Sequence, residues 1–371
     1  MKIRHLIPIV AGMLFMPFAA NAGSISPSSF EATIAVGETV TIEKTVTTDP
    51  GLALSKVDVY FLADNTGSMG GIINSVKSNA TTILNAISGG DARFSGIDVN
   101  FGVGRYLGDP VEPFYNATNA YTVQQTMTSS VVDTQTAING WFASGGGDGP
   151  EANFYALHQA ATNGANTPSG VGGGQSTGWR SDAGKVIVWF GDAQSHTATV
   201  NQADTIAALQ AEGVTVAAIN TRSAGNGIDR FGQASAITSA TGGTLTNGVS
   251  GSAATIDAIL NAVASATSTI DLTLATSGDT SGLDITFTCT DAAGCDDVTG
   301  GESRTFEMSV TGVTEGVYDF DVFAPGVRDA VEEDLITVVA GGGGPSVPAP
   351  GAALLMGLAL LGMAVTRRKA A

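Results

Sequence analysis

Three short stretches carry residue types that could do chemistry together. The first is Asp64-Asn65-Thr66-Gly67-Ser68, where one carboxylate and two hydroxyls alternate along a single loop. The second is Gly145-Gly146-Gly147-Asp148-Gly149-Pro150-Glu151, a glycine-rich acidic run, and the third is Asp192 within WFGDAQSH. Carboxylate and hydroxyl oxygens suit a hard divalent cation and make a poor set for zinc or copper. The alternation lets one loop present Asp64, Thr66 and Ser68 to a common point. The same pentapeptide also reads as a plain strand-to-helix turn with Asp64 or Thr66 as an N-cap. No Ser/His/Asp order, nucleophile elbow or phosphate-cradling glycine motif accompanies these stretches. His158, within a helical pattern, and His196, just past Asp192, read as structural. The glycines of 171–178 read as a surface loop.

The elements that must position these residues follow from periodicity. Residues 57–63 (VDVYFLA) are largely apolar and break abruptly into the polar loop, the pattern of a strand buried on both faces of a parallel sheet. In open α/β sheets, ligands sit at the carboxyl ends of such strands. Residues 72–87 then place Ile72, Val76, Ala80 and Leu84 on one helical face. A strand is predicted over 97–104, a short helix over 134–143 and another over 151–162. Residues 185–191 (KVIVWFG) form a second apolar strand that ends on Asp192. A helix over 201–212, a strand over 214–220 and helices over 228–240 and 253–266 complete the alternation. Such a chain winds into a doubly wound parallel sheet with right-handed crossovers, and the three chemical stretches fall on one rim of it.

Period-2 patterning marks the flanks. Residues 24–50 predict two antiparallel strands around a Gly37-Glu38 turn, too few to close a core alone. About five more strands are predicted after Thr269. The simplest assembly joins both groups into one β-sandwich with the α/β unit inserted. Cys289 and Cys295, the only cysteines, read as one local disulfide formed in an oxidising compartment.

Both ends have the composition of processing segments. Residues 1–22 start basic (Lys2, Arg4), run apolar and finish Ala20-Asn21-Ala22, the form of a secretory signal peptide; a permanent anchor is the alternative reading. Residues 351–365 are 15 apolar residues followed by Arg367, Arg368 and Lys369. A helix of that length spans roughly 22 Å, short of the ~30 Å hydrocarbon core, so it reads as a short transmembrane segment for a transient hold, or as a plain tail anchor. Without the five basic residues of these ends the net charge moves from −18 to −23. Nucleic acid and anionic membrane surfaces are thereby disfavoured as partners, and divalent cations are favoured.

The Asp64-x-Thr66-x-Ser68 stretch resembles the opening of the metal-ion-dependent adhesion site of von Willebrand factor A domains. DGPEANFYAL followed by VIVWFGDAQSH is similar to the A domain of integrin β subunits in particular. That resemblance implies a metal shell of Asp64, Thr66, Ser68, Glu151 and Asp192 for Mg²⁺ or Mn²⁺. It also implies insertion of the domain into a hybrid-like β-sandwich, with the resemblance covering roughly residues 25–340. Two acids that bind a neighbouring regulatory calcium in integrins are replaced by Gly71 and Ile72, so that site is expected to be lost. A second metal, Ca²⁺ in the family, implies Asp109, Asp148, the Pro150 carbonyl and Glu151, although Gly146 stands where the family has Asn. Read without the family, Asp148 is a turn residue and Asp109 an ordinary loop residue. Val347-Pro348-Ala349-Pro350 resembles PEP-CTERM and VPxPx-type sorting signals, whose tails are removed by an exosortase; Ala349 stands where the commonest form has Glu.

The expected organisation is a signal peptide (1–22), sandwich strands (23–55), the A domain (56–268), the rest of the sandwich (269–340), a glycine linker (341–346) and a sorting tail (347–371). Signal peptidase and an exosortase would process the chain, leaving it on the cell surface or outside a Gram-negative cell after a transient inner-membrane tether. The expected function is adhesion or ligand binding, with a metal capturing a carboxylate on a surface or matrix protein. A structural matrix or biofilm component with a purely stabilising metal is the alternative. A subunit of a metal-handling enzyme, as in chelatases with A domains, is a further one. No base or nucleophile lies outside the coordinating set, so no enzyme is expected.

Overall fold

The computed structural model describes residues 23–49 and 53–341. The signal peptide, most of the glycine linker and the sorting tail lie outside the described residues. Among the described residues, no helix is long and apolar enough to cross a membrane.

The chain begins with β1 (Ser24–Ser26), β2 (Ser29–Ala35) and β3 (Thr39–Thr47). It then enters β4 (Lys56–Asp64), α1 (Gly70–Asn85) and β5 (Asp98–Tyr106). A single-turn α2 (Ala117–Ala120), β6 (Tyr121–Thr128), α3 (Val131–Asn139) and α4 (Asn153–Ala161) follow. Next come β7 (Gly184–Gly191), α5 (Gln202–Ala211), β8 (Val214–Asn220), α6 (Gln233–Ala240), β9 (Leu245–Thr246) and α7 (Ser252–Ala266). The remaining strands are β10 (Thr269–Ile270), β11 (Ala275–Gly278), β12 (Leu283–Cys289), β13 (Val298–Thr299), β14 (Ser303–Gly312), β15 (Gly316–Phe323) and β16 (Val331–Val339).

The central sheet has the order β6-β5-β4-β7-β8-β9 and is parallel except for its edge strand β6. β4 is buried along almost its whole length because both its faces are covered. Val57, Val59 and Phe61 face an apolar layer shared with α1 and α7, while Tyr60 and Leu62 face one shared with α4, α5 and α6. The chain leaves β4 toward β5 and later returns to β7 on the other side. The crevice between β4 and β7 is therefore the topological switch point, where doubly wound sheets bind ligands.

Two outer four-stranded sheets, β1-β3-β14-β12 and β11-β15-β16-β2, each combine strands from before and after the α/β unit. Ile25, Val46, Met308 and Val310 of the first share one apolar cluster with Ile34, Phe320, Val322 and Ile336 of the second. The antiparallel pair expected over 24–50, around the Gly37-Glu38 turn, does not form. β2 runs parallel to β16, and β3 pairs with β1 and β14. The turn at Gly37 (φ 84°) carries the chain from one sheet to the other, and its N–H donates to Gly312 O rather than closing a β2–β3 ladder. The two points where the chain joins the α/β unit touch, since Leu54 N–H donates to Thr267 O at 3.3 Å. Cys289 and Cys295 are bonded to each other at the end of β12.

Two further differences concern the α/β unit. Edge strand β6 was not legible because its pattern, YTVQQTMT, is polar and only half-buried. The helix expected over 228–240 is broken by Phe231, whose φ of 64° ends one short turn before α6 begins.

Candidate metal centre at the switch point

Asp64 is the last residue of β4 and Asp192 follows the last residue of β7, so neighbouring parallel strands deliver both carboxylates to the same crevice. Asp64 is fully buried; its Oδ1 accepts the Thr66 N–H at 2.8 Å, and its Oδ2 has no hydrogen-bond partner. That hydrogen bond folds the loop back, and Thr66 Oγ1 is likewise buried without a partner. The N-cap reading is not what the loop adopts: Thr66 precedes a short helical turn but its side chain caps nothing. Ser68 Oγ donates to Asp192 Oδ1 at 2.9 Å, joining the first and third stretches. Asp192 Oδ2 accepts from Arg222 Nη2 at 2.9 Å.

The glycine-rich run supplies the third carboxyl. Glu151 is pinned by its backbone: its N–H donates to Gln194 O, its carbonyl accepts His196 N–H, both at 2.8 Å, and Ala152 N–H donates to Leu107 O. Gly146 has φ 79°, and a Cβ there would stand 3.1 Å from Glu151 Oε1 and 3.4 Å from Thr66 Cβ. The backbone of the run thus passes directly over these two side chains. Glu151 Oε2 is a third buried oxygen without a partner. Behind the site, Tyr106 and Asn153, which the sequence did not single out, fix the two flanking loops. Tyr106 Oη donates to Asn153 Oδ1 at 2.5 Å, and Asn153 Nδ2 donates to Ala193 O at 3.1 Å.

The electrostatics follow from burial. Asp64 is pushed up to about 7 by burial, which the hydrogen bond from the Thr66 backbone N–H opposes and the nearby Asp192 charge reinforces. Glu151 is pushed up to about 9 by burial first, then by the charges of Asp64, Glu112 and Asp148. Oxygen-only donors, three of them buried and unpartnered, and carboxyls that resist ionising without a cation are the features of a hard-metal site. Asp64, Thr66, Ser68, Glu151 and Asp192 are brought to one rim and fit such an ion.

The second set is not gathered as expected. Asp109 is buried, with its carboxylate on the Val111 N–H (3.1 Å) of its own loop and on Thr199 Oγ1 of the segment between β7 and α5, so its oxygens are already committed. Pro150 sits half-buried beside Glu151. Instead, Asp148 converges with Glu112 and His196, whose ligand atoms lie within 4.8 Å of one another. His196 Nε2 is 2.5 Å from Glu112 Oε1 and 3.2 Å from Asp148 Oδ2. Glu112 carried no motif signal, and His196, read as structural, lies against both acids at the edge of the site. His158 is buried in α4, and burial pushes its imidazole pKa down.

By sheet order and site, the chain contains a doubly wound α/β domain with an oxygen-rich crevice. No protein-family model and no curated protein matches it. Solved structures do, among them a von Willebrand factor type A protein and a matrix protein with a zinc-occupied metal-ion-dependent adhesion-site motif. A von Willebrand factor type A protein from Catenulispora acidiphila is 14% identical with a TM-score of 0.40, over 88% of this chain and 76% of that one. The pilus adhesin SpaC from Lactobacillus rhamnosus GG is 12% identical with a TM-score of 0.38, over 80% of this chain and 46% of the adhesin. Proximal thread matrix protein 1 from the mussel byssus, with a zinc-occupied adhesion-site motif, is 18% identical with a TM-score of 0.32, over 49% and 38%. The chain spans less than half the length of the last two.

Proposed function

We propose that this is an exported, surface-sorted protein that uses a divalent cation at the β4/β7 crevice to capture a carboxylate on a surface or matrix partner. The observation that carries the reading is the set of three buried, unpartnered oxygens, Asp64 Oδ2, Thr66 Oγ1 and Glu151 Oε2, at the switch point. Asp64, Thr66, Ser68, Glu151 and Asp192 would hold Mg²⁺ or Mn²⁺. The bound ion supplies Lewis acidity toward an incoming carboxylate. The chain's own part is to preorient the oxygens, exclude water from Asp64 and Glu151, and leave Ser68 on the exposed side. At the neighbouring Glu112, Asp148 and His196, the imidazole favours a transition ion over the Ca²⁺ expected from the sequence.

The integrin-β-like subtype, insertion of the A domain (56–268) into a sandwich, the PEP-CTERM-type tail and processing by signal peptidase and exosortase belong to this same reading. The test is retention of matrix components on the immobilised full chain, with and without EDTA. Retention in Mg²⁺ that EDTA abolishes, and that Asp64→Ala lacks, supports it. Retention indifferent to both would leave the structural matrix role in its place.

A further inference from the structure

Far from the crevice, one lysine is buried with two acids between the outer sheets. Lys44 on β3 is fully buried, and Glu332 and Asp334 on β16 are each 1% exposed. Lys44 alternates with Ile42 and Val46 on the inward face of one sheet. Glu332 and Asp334 share the inward face of the other with Ile336 and Val338. The ring of Phe30 lies 5.5 Å from Lys44 Nζ. A buried charge cluster of this kind is a poor source of stability, because desolvation of each ion offsets the attraction. The metal site makes no use of it, and no sequence motif marks it.

The arrangement is that of an amine held against a carboxyl and closed off from solvent. Both oxygens of Asp334 face Lys44 Nζ, at 3.1 and 3.4 Å, which brings the amine toward the carboxyl carbon that lies between them. Glu332 meets Nζ with Oε1 alone, an end-on contact, and its Oε2 has no hydrogen-bond partner. We propose that Lys44 and Asp334 become joined by a side-chain amide within the folded protein, with Glu332 as the proton carrier.

The step balances without a co-reactant. A proton passes from the Lys44 ammonium to the Asp334 carboxylate, leaving a neutral amine and a carboxylic acid. The amine lone pair forms the N–C bond. Glu332 takes a proton from that nitrogen at one oxygen and gives its own to the departing hydroxyl. The C–O bond breaks, water leaves, and Glu332 ends protonated as it began. Nothing is oxidised or reduced. Burial pushes the Glu332 carboxyl up to about 7, with Lys44 opposing and Asp334 reinforcing, so the carrier is available in its protonated form near neutral pH. Enclosure in the apolar layer favours the neutral amine and acid over their ions and keeps bulk water from hydrolysing the product.

The consequence is mechanical. Lys44 and Asp334 are 290 residues apart, on the segments that precede and follow the α/β unit. An amide there ties both legs of the chain covalently, so a pull on the carboxyl end loads a bond rather than the β16 ladder. This does not depend on the metal reading.

The test is mass spectrometry of the reduced, denatured full chain. The expected result is a deficit of one water against the same chain carrying Lys44→Met, and a branched peptide in the digest joining Lys44 to Asp334. Asp334→Ala should remove the deficit, and Glu332→Gln should leave most of the chain unlinked. The wild-type measurement needs no variant to fold, so it decides alone. A wild-type chain whose digest contains separate Lys44 and Asp334 peptides and no branch overturns the proposal. So does a branch at Glu332.

Discussion

Glu151 shows what collecting carboxylates in a crevice does to each of them. Its carboxyl, at about 9, and that of Asp64, at about 7, both lie above the ordinary range near 4. A raised folded-state value means that these groups' contribution to stability is fully present below about pH 4 and is lost as pH rises through 7 and then 9. Metal-free protein is therefore expected to melt at a lower temperature at about pH 8 than at about pH 5. Glu151→Gln should remove much of that drop, and scanning calorimetry in chelator reads both. An unchanged drop in the variant would contradict the assignment. Metal affinity should rise over the same window, because binding must displace the protons. Gly146 makes a second test: with φ 79° and a Cβ position 3.1 Å from Glu151 Oε1, Gly146→Ala should cost about 1–2 kcal/mol of stability. It should also weaken Mn²⁺ binding at least ~10-fold, about 1.4 kcal/mol, in titration calorimetry. At this scale the sequence showed the oxygen donors through their alternation. It did not show Glu112 and His196, whose role depends on three loops meeting in space.

Among the elements, β4 carries both the core and the site. Phe61 is 1% exposed and packs on Phe101 with ring centroids 6.2 Å apart. Phe61→Ala should cost about 3–5 kcal/mol in urea denaturation, and loss of metal binding should follow unfolding rather than precede it. Central strands and amphipathic helices were legible because burial on both faces writes an apolar run and packing on one face writes a 3.6-residue period. β6 and the break at Phe231 were not, since an edge strand needs no apolar pattern and a left-handed residue other than glycine leaves no sequence signal. The β2/β3 error had a different cause: period 2 fixes which residues face inward but not which strand lies alongside. α7 ends two residues before β10, so axial movement of this helix would be felt at the junction with the outer sheets. Movement there requires a ligand with unequal affinity for two arrangements. Small-angle scattering of the metal-loaded chain should change when a captured carboxylate partner is added. Identical profiles at saturation would describe a rigid molecule.

Over the whole molecule, 34 acidic residues against 16 basic ones set the working conditions. The crevice collects negative charge within an already negative chain, so added salt should weaken Mg²⁺ binding through screening. The Lys44 linkage and the cation site occupy different parts of the fold, and each can fail without the other. The cation site is read directly by titration calorimetry of the full chain with MnCl₂, wild type beside Asp64→Asn. The amide keeps the size of the side chain and can still accept the Thr66 N–H, so the fold should melt as before in chelator. Saturable binding in the wild type that is lost, or weakened more than roughly 100-fold, in the variant is the predicted result; outer-shell partners commonly account for 10–100-fold. Equal binding by both proteins would mean that Asp64 does not hold the cation.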